Sequence, residues 1–281
     1  MVKKFSGVKT KTELAQRVGV SRSSLYWKSK MDAKDKVLLP KIKEIMSENP
    51  SYGHKRLAIA LKLNKKRILR IMKKYNLKPS RRRPQRPLKL GDEKKPETSS
   101  PNLIKNFCPI CPNVVWASDF TYISFHGRFI YLATIMDLFT RLIIGWNVLV
   151  NHSTELVKDA FEHAVQKTKA VPQILHSDQG SEYDSNEYTE LAKSYEVTIS
   201  MSKKASPWEN GFQESFYSGF KLDLGEPNRF NNLGELVEAM YQTIHYYNNS
   251  RIHTKLKSSP HQFYVNYQNK INLVNTLELV S

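Results

Sequence analysis

From residue 113 onward the chain carries three β-rich runs in succession, VVWASDFTYISF, RFIYLATIMD and RLIIGWNVLV. The first two are joined by His126-Gly127 and the last two by Leu138-Phe139-Thr140, so they read as a meander. The pattern then alternates. A helix is expected over 153–169, a short strand at QILHS (173–177), a helix near 184–195 and a fifth strand at VTISM (197–201). Helical periodicity returns over 208–222 and 233–249. Such an order predicts an α/β fold, a mixed five-stranded sheet with helices on its faces. Ligand sites in sheets of this kind tend to lie at the strand ends.

Charge divides the chain at about the same place. Residues 1–100 hold 29 of the 44 Lys and Arg against 8 Asp and Glu, a balance of +21, whereas the rest balances at −3. A basic module beside a near-neutral domain points to a polyanionic partner, and above all to nucleic acid. Within 1–35, residues 12–29 read as a short helix–turn–helix. Leu14, Ala15 and Val18 form the apolar stripe, Gly19 the turn, Ser21 a cap and Leu25 the packing residue. Its second helix would offer Arg22, Ser23, Ser24 and Lys28 to a major groove. Residues 36–78 make a second such module, with helices over 36–48 and 54–77 and Asn64 as a possible cap. Lys65, Lys66, Arg67 and Arg70 belong to its outer, phosphate-facing side.

Residues 79–112 are expected to link the basic modules to the core. The stretch 79–101 holds five prolines and seven basic residues, including Arg81, Arg82 and Arg83, which suit contact with a DNA backbone. Cys108 and Cys111 follow, but a zinc site would need two further ligands, and the plainer expectation is two reduced thiols. No apolar run approaches the ~18 residues of a membrane span. The basic start has no apolar segment behind it, so a soluble, cytoplasmic protein is expected.

Three carboxylates stand out in the second half. Asp119 lies inside the first strand, where an unpaired charge is costly. Asp178 follows the run Ile174-Leu175 at a strand end, and Glu214 lies on a later helix. On that helix Phe216, Phe220 and Leu224 form an apolar face, with Glu214, Tyr217, Ser218 and Lys221 on another. Three converging acids are what two-metal phosphoryl transfer requires. Mg²⁺ prefers such oxygen ligands to histidine or cysteine.

The segments Trp116-Ala-Ser-Asp119-Phe-Thr-Tyr122, His176-Ser-Asp178-Gln-Gly-Ser-Glu-Tyr183 and Glu214-Ser-Phe216 resemble the DDE transposases of bacterial insertion sequences. The nearest resemblance is to the insertion-sequence-three family, relatives of retroviral integrases. The 35 residues between Asp178 and Glu214, Lys221 seven after Glu214, and Tyr247-Asn-Asn-Ser-Arg251-Ile-His253 all match its pattern. The family often has Arg at position 179, Gln at 182 and Asp-Asn at 209–210, where this chain has Gln179, Glu182 and Glu209-Asn210.

The resemblance implies an RNase H-like catalytic core, here residues 113–265 followed by a tail at 266–281. It implies two Mg²⁺ ions per site, replaceable by Mn²⁺, held by Asp119, Asp178 and Glu214. Lys221 and Arg251 would meet DNA. Double-stranded element ends and target DNA would be bound in a multimeric complex, and a freed 3′-OH would be joined to a second strand. A nuclease that only hydrolyses, and a domesticated DNA-binding regulator, are the alternatives. Asp137 is expected to be a turn acid, and His176 to orient the loop of Asp178.

Overall fold

The computed structural model describes residues 10–26, 30–80, 100–105, 107–202 and 211–278. Helix α1 (Lys11–Val18) opens with a capping box: Thr10 accepts from the Glu13 amide and Glu13 bonds back to the Thr10 amide. Gly19 closes it in the left-handed region at φ 69°. A second α-helix does not follow. Arg22–Leu25 form one 3-10 turn, because Ser21 turns its hydroxyl to those of Ser23 and Ser24 (2.8 Å each) and leaves the backbone uncapped. Lys28 lies outside the described residues.

Helix α2 begins at Lys30, earlier than expected, and runs to Glu48. The helix expected over 54–77 is two, α3 (His54–Ala60) and α4 (Lys65–Lys74). Asn64 caps α4 by accepting from the Lys66 amide at 2.9 Å. Ile42, Leu57, Ile68 and Ile71 are wholly buried between the three helices. This module is docked on the core rather than held away from it. The Ile252 amide donates to the Tyr52 hydroxyl (2.7 Å), Arg56 Nε donates to the Ile252 carbonyl (2.9 Å), and the Ile252 side chain packs on the module's apolar centre.

The sheet comprises β1 (Val115–Phe125), β2 (Arg128–Asp137), β3 (Ile143–Leu149), β4 (Ile174–Ser177) and β5 (Thr198–Met201), in the order β3-β2-β1-β4-β5. The first three are antiparallel neighbours, while β4 runs parallel to β1 and β5 parallel to β4. Helices α5 (Thr154–Thr168) and α6 (Asn186–Ser194) supply the crossovers and cover one face, packing on Trp116, Ala133 and Ile135. On the other face α7 (Gly211–Leu224) and α8 (Leu233–Asn249) pack on Val115, Ala117 and Leu132. The period of two in a strand makes this division: even positions of β1 face one core and odd positions the other.

The stretch expected as a tail is largely helical, since α9 spans Pro260–Glu278. Pro260 presets the first turn, and Phe263 and Tyr267, one turn apart, pack against Phe139. Among the described residues no helix is long and apolar enough to cross a membrane.

Candidate active site

Odd numbering puts Asp119 on the same face as Val115 and Ala117, the face that α7 covers. Two side chains of α7 fix this register. Gln213, wholly buried, donates its amide to the Ala117 carbonyl (2.6 Å) and the Thr134 carbonyl (3.2 Å). Tyr217 donates its hydroxyl to the Asp119 carbonyl (2.6 Å) and also meets Thr134 Oγ1 (2.8 Å). Thr134 is the cross-strand partner of Asp119. Tyr217 is therefore a buried brace between helix and sheet, not a member of the exposed face shared with Glu214. Neither Gln213 nor Tyr217 was legible as a site residue, because each acts through backbone atoms of distant strands. Tyr217→Phe removes the bond to the Asp119 carbonyl, while Thr134 keeps Gln213 as a partner, and is expected to cost about 1–2 kcal/mol in urea unfolding.

Asp178 lies just past the end of β4, beside β1. Its Oδ1 accepts from the Gly180 amide (3.0 Å), and its carbonyl accepts from the Ser177 hydroxyl (3.0 Å). His176 is fully buried and bonded through Nδ1 to Ser200 Oγ (3.0 Å), which ties β4 to β5 beneath the Asp178 loop. Glu214 is exposed on the first turn of α7, two residues from its buried, apolar anchor Phe216.

The three acids share one electrostatic field. Burial holds the Asp119 carboxyl well above the ordinary range, and the charges of Asp178 and then Glu214 push it further, against the Phe120 amide and Lys221. Asp178 is also raised, by burial and by Glu182, with the Gly180 amide opposing. Burial would raise Glu182 too, but its bonds to His152 (2.6 Å) and Ser181 (3.2 Å) outweigh this and hold it below its usual value. The three acids are not drawn to coordination distance around one point. Among the described residues no group of three or more His, Cys, Asp or Glu stands close enough to hold one metal.

The other expected contacts fall into four groups. Lys65 and Lys66 are exposed at the start of α4, and Arg22 is exposed after α1. Lys221 lies near the acids, its ammonium 4.9 Å from the Tyr122 ring centroid. Arg70 grips buried Asp35 with one nitrogen at 2.9 and 2.7 Å, and Arg67 meets the same carboxylate at 3.4 Å, so part of their charge is already balanced. Arg81, Arg82 and Arg83 lie outside the described residues.

Arg251 is buried, and its Nε donates to Asp223 at 2.5 Å, so it braces α7. Asp223→Ala should cost about 3–5 kcal/mol, because it leaves a buried guanidinium unpaired. In equilibrium unfolding, the double variant with Arg251→Ala should lose less than the sum of the two single losses.

Asp137 is a turn acid, as expected. It is buried and accepts from the Phe139 and Thr140 amides, the Thr140 hydroxyl and the Asn113 amide. Cys108 and Cys111 are free thiols.

The chain matches two families, both described as integrase core domain, over residues 109–207 and 195–260. The transposase for insertion sequence element IS904 of Lactococcus lactis subsp. lactis is 34% identical over 247 residues, 84% of this chain and 96% of that one. The putative transposase InsK for element IS150 of Escherichia coli is 29% identical over 256 residues, 87% and 89% of the two chains. A chain in the cryo-EM structure of the simian T-cell lymphotropic virus intasome shares the fold, at TM-score 0.50 and 15% identity, over 79% of this chain and 74% of its own. A relative at this identity, matched over nearly its whole length, makes the assignment: the chain belongs to the DDE transposases of bacterial insertion sequences, polynucleotidyl transferases whose names here fit the insertion-sequence-three family.

Proposed function

We propose that this transposase binds the two ends of its own element, cleaves a phosphodiester there and joins the freed 3′-OH to a second strand, with Asp119, Asp178 and Glu214 as its metal ligands. Membership in the family implies dependence on a divalent metal, DNA binding and oligomeric assembly. The observation that carries the residue assignment is the behaviour of Asp119. Its carboxyl is pushed upward by Asp178 and Glu214, so the charges of three acids from β1, the end of β4 and α7 are felt at one place. Such a donor set is all oxygen and negative, which suits Mg²⁺, with Mn²⁺ able to replace it. When bound, a pair of these ions activates the attacking oxygen and stabilises the leaving one. Glu214 is the ligand with freedom to move, being exposed, whereas Asp119 is held by its strand and by Tyr217.

The protein's own residues do the rest. Lys221, one side of its ammonium against Tyr122, lies where it can meet a phosphate close to Asp119. Lys65, Lys66 and Arg22, with Lys28 and Arg81 to Arg83, would track the backbone of the element end in the cytoplasm. The test uses labelled element-end duplex with Mg²⁺ or Mn²⁺, scored for nicking and for joining to a second duplex. Nicking together with joining is the expected result. Nicking without joining would make the protein a nuclease, and binding with neither would make it a regulator.

A further inference from the structure

Beneath the N-terminal module the structure holds an open cleft of about 310 Å³ whose charged lining, among the described residues, is of one sign. Arg56 enters from α3, Arg141 from the turn after β2, and Arg251, His253 and Lys255 from the segment after α8. No carboxylate is among its described walls. Two of these groups have their charge or bonds engaged: Arg251 is paired with Asp223, and Arg56 gives its Nε hydrogen to the Ile252 carbonyl.

The other side of the cavity is different. The Arg141 guanidinium lies 4.0 Å from the Phe212 ring centroid, and its Nη1 is buried with no acceptor among the described residues. His253 Nδ1 is likewise buried and unpartnered. A buried polar nitrogen with no partner costs free energy, and Arg141 Nη1, which can only donate, and the His253 ring nitrogen both lie in one cationic cavity. The cationic field shows at two of the groups. Burial and then the charges of Arg141, Arg56, Arg251 and Lys255 push His253 down to about 4, and burial followed by Arg251 lowers Arg56. An anion with several oxygens would satisfy the buried nitrogens and reverse the repulsion at once, and a planar guanidinium held on a ring is suited to it.

We infer that this cavity takes a backbone phosphate of the element-end DNA. The choice of a DNA phosphate rests on the proposed function and on position. Ser215 lines the cavity and is the chain neighbour of Glu214, so the cavity borders the first turn of the helix that carries Glu214. The phosphate would be gripped at once by the N-terminal module through Arg56, by the sheet through Arg141 and by the segment after α8 through Lys255. Engagement of the DNA end is thereby tied to the position of α7 and of Glu214.

The test is a binding scan with the full chain, without divalent metal, on labelled element-end duplexes carrying one neutral methylphosphonate each. For the wild type, one phosphate near the cleaved bond should matter most, its neutralisation weakening binding about tenfold. Arg141→Gln should bind the unmodified duplex about tenfold more weakly, be indifferent to neutralisation at that one phosphate, and lower the salt slope by about one. Lys255→Ala, at an exposed position, gives the same pattern more weakly and guards against a folding defect. A variant as sensitive as wild type at every phosphate overturns the inference. So does stabilisation by inorganic phosphate, lost in Arg141→Gln, with DNA binding unchanged, since the cavity would then serve free phosphate. Because metal is left out, failed chemistry cannot imitate a failed scan. Binding with no strand joining sinks the transposition chemistry and leaves this site intact.

Discussion

Asp119→Asn is expected to abolish nicking and joining while raising the melting temperature of the metal-free protein. The loss should be roughly 10³-fold or more, beyond the ~10–100-fold that follows removal of a residue which only orients a metal ligand. The gain in stability comes from the same electrostatics. Burial, Asp178 and Glu214 all make the Asp119 carboxyl bind its proton more tightly when folded. For a group raised in this way the folded state is favoured at pH below the unfolded value. That advantage is lost as pH rises through the ordinary carboxylate range towards the folded value. At pH 7 the wild type therefore carries a penalty that asparagine, nearly the same in shape, does not. A gain near 1 kcal/mol corresponds to roughly 2–4 °C in a chain of this class, and it should shrink as the pH is taken down to 4. Adding Mg²⁺ or Mn²⁺ should raise the melting temperature of the wild type and leave that of the variant still. An equal metal response in both proteins would move the metal site away from Asp119.

A marked loss of stability is expected at Gly145, far from the acids. In β3 this residue lies against α5 so closely that an added Cβ would stand 2.3 Å from the Ala160 carbonyl and 2.6 Å from Ala164 Cβ. The first of these is backbone, and no rotamer relieves it. Ala160 and Ala164 are themselves wholly buried, one turn apart on the helix face that meets the sheet. Gly145→Ala must therefore lift α5 off β3 and open gaps around Leu156 and Phe161, or bend β3. Overpacking a filled core costs about 1–3 kcal/mol and occasionally more, and a clash with backbone belongs at the upper end. A urea midpoint that falls with unchanged slope would show this as lost stability of one cooperative unit. An unchanged midpoint would mean that the β3–α5 contact is looser than described.

These two residues also mark what a reader of the sequence can and cannot see. Asp119 is visible as a charge where the strand pattern calls for an apolar residue, and its neighbours complete a spaced motif. Gly145 is one glycine in a β-rich run, and its importance arises only from two alanines fifteen and nineteen residues away. Arg251 is the opposite case. Its type suggests DNA, and only the fold shows that it has a buried partner in Asp223. The serine run 21–24 looked like a cap followed by a helix, yet hydroxyl–hydroxyl bonds won over backbone capping.

The sequence by itself determined the order and kind of the sheet elements and the division of charge, and it singled out Asp119, Asp178 and Glu214 as candidates. Each of these is written in local periodicity or in residue type, which neighbours a few positions apart decide. Only the tertiary structure decided that Tyr217 and Gln213 brace the Asp119 strand, that the N-terminal module rests on Ile252, and that Arg141 and His253 share one buried cationic cavity. Those facts depend on which surfaces meet across roughly eighty to two hundred residues of chain. Desolvation and close packing act on that meeting, and neither leaves a mark in local sequence.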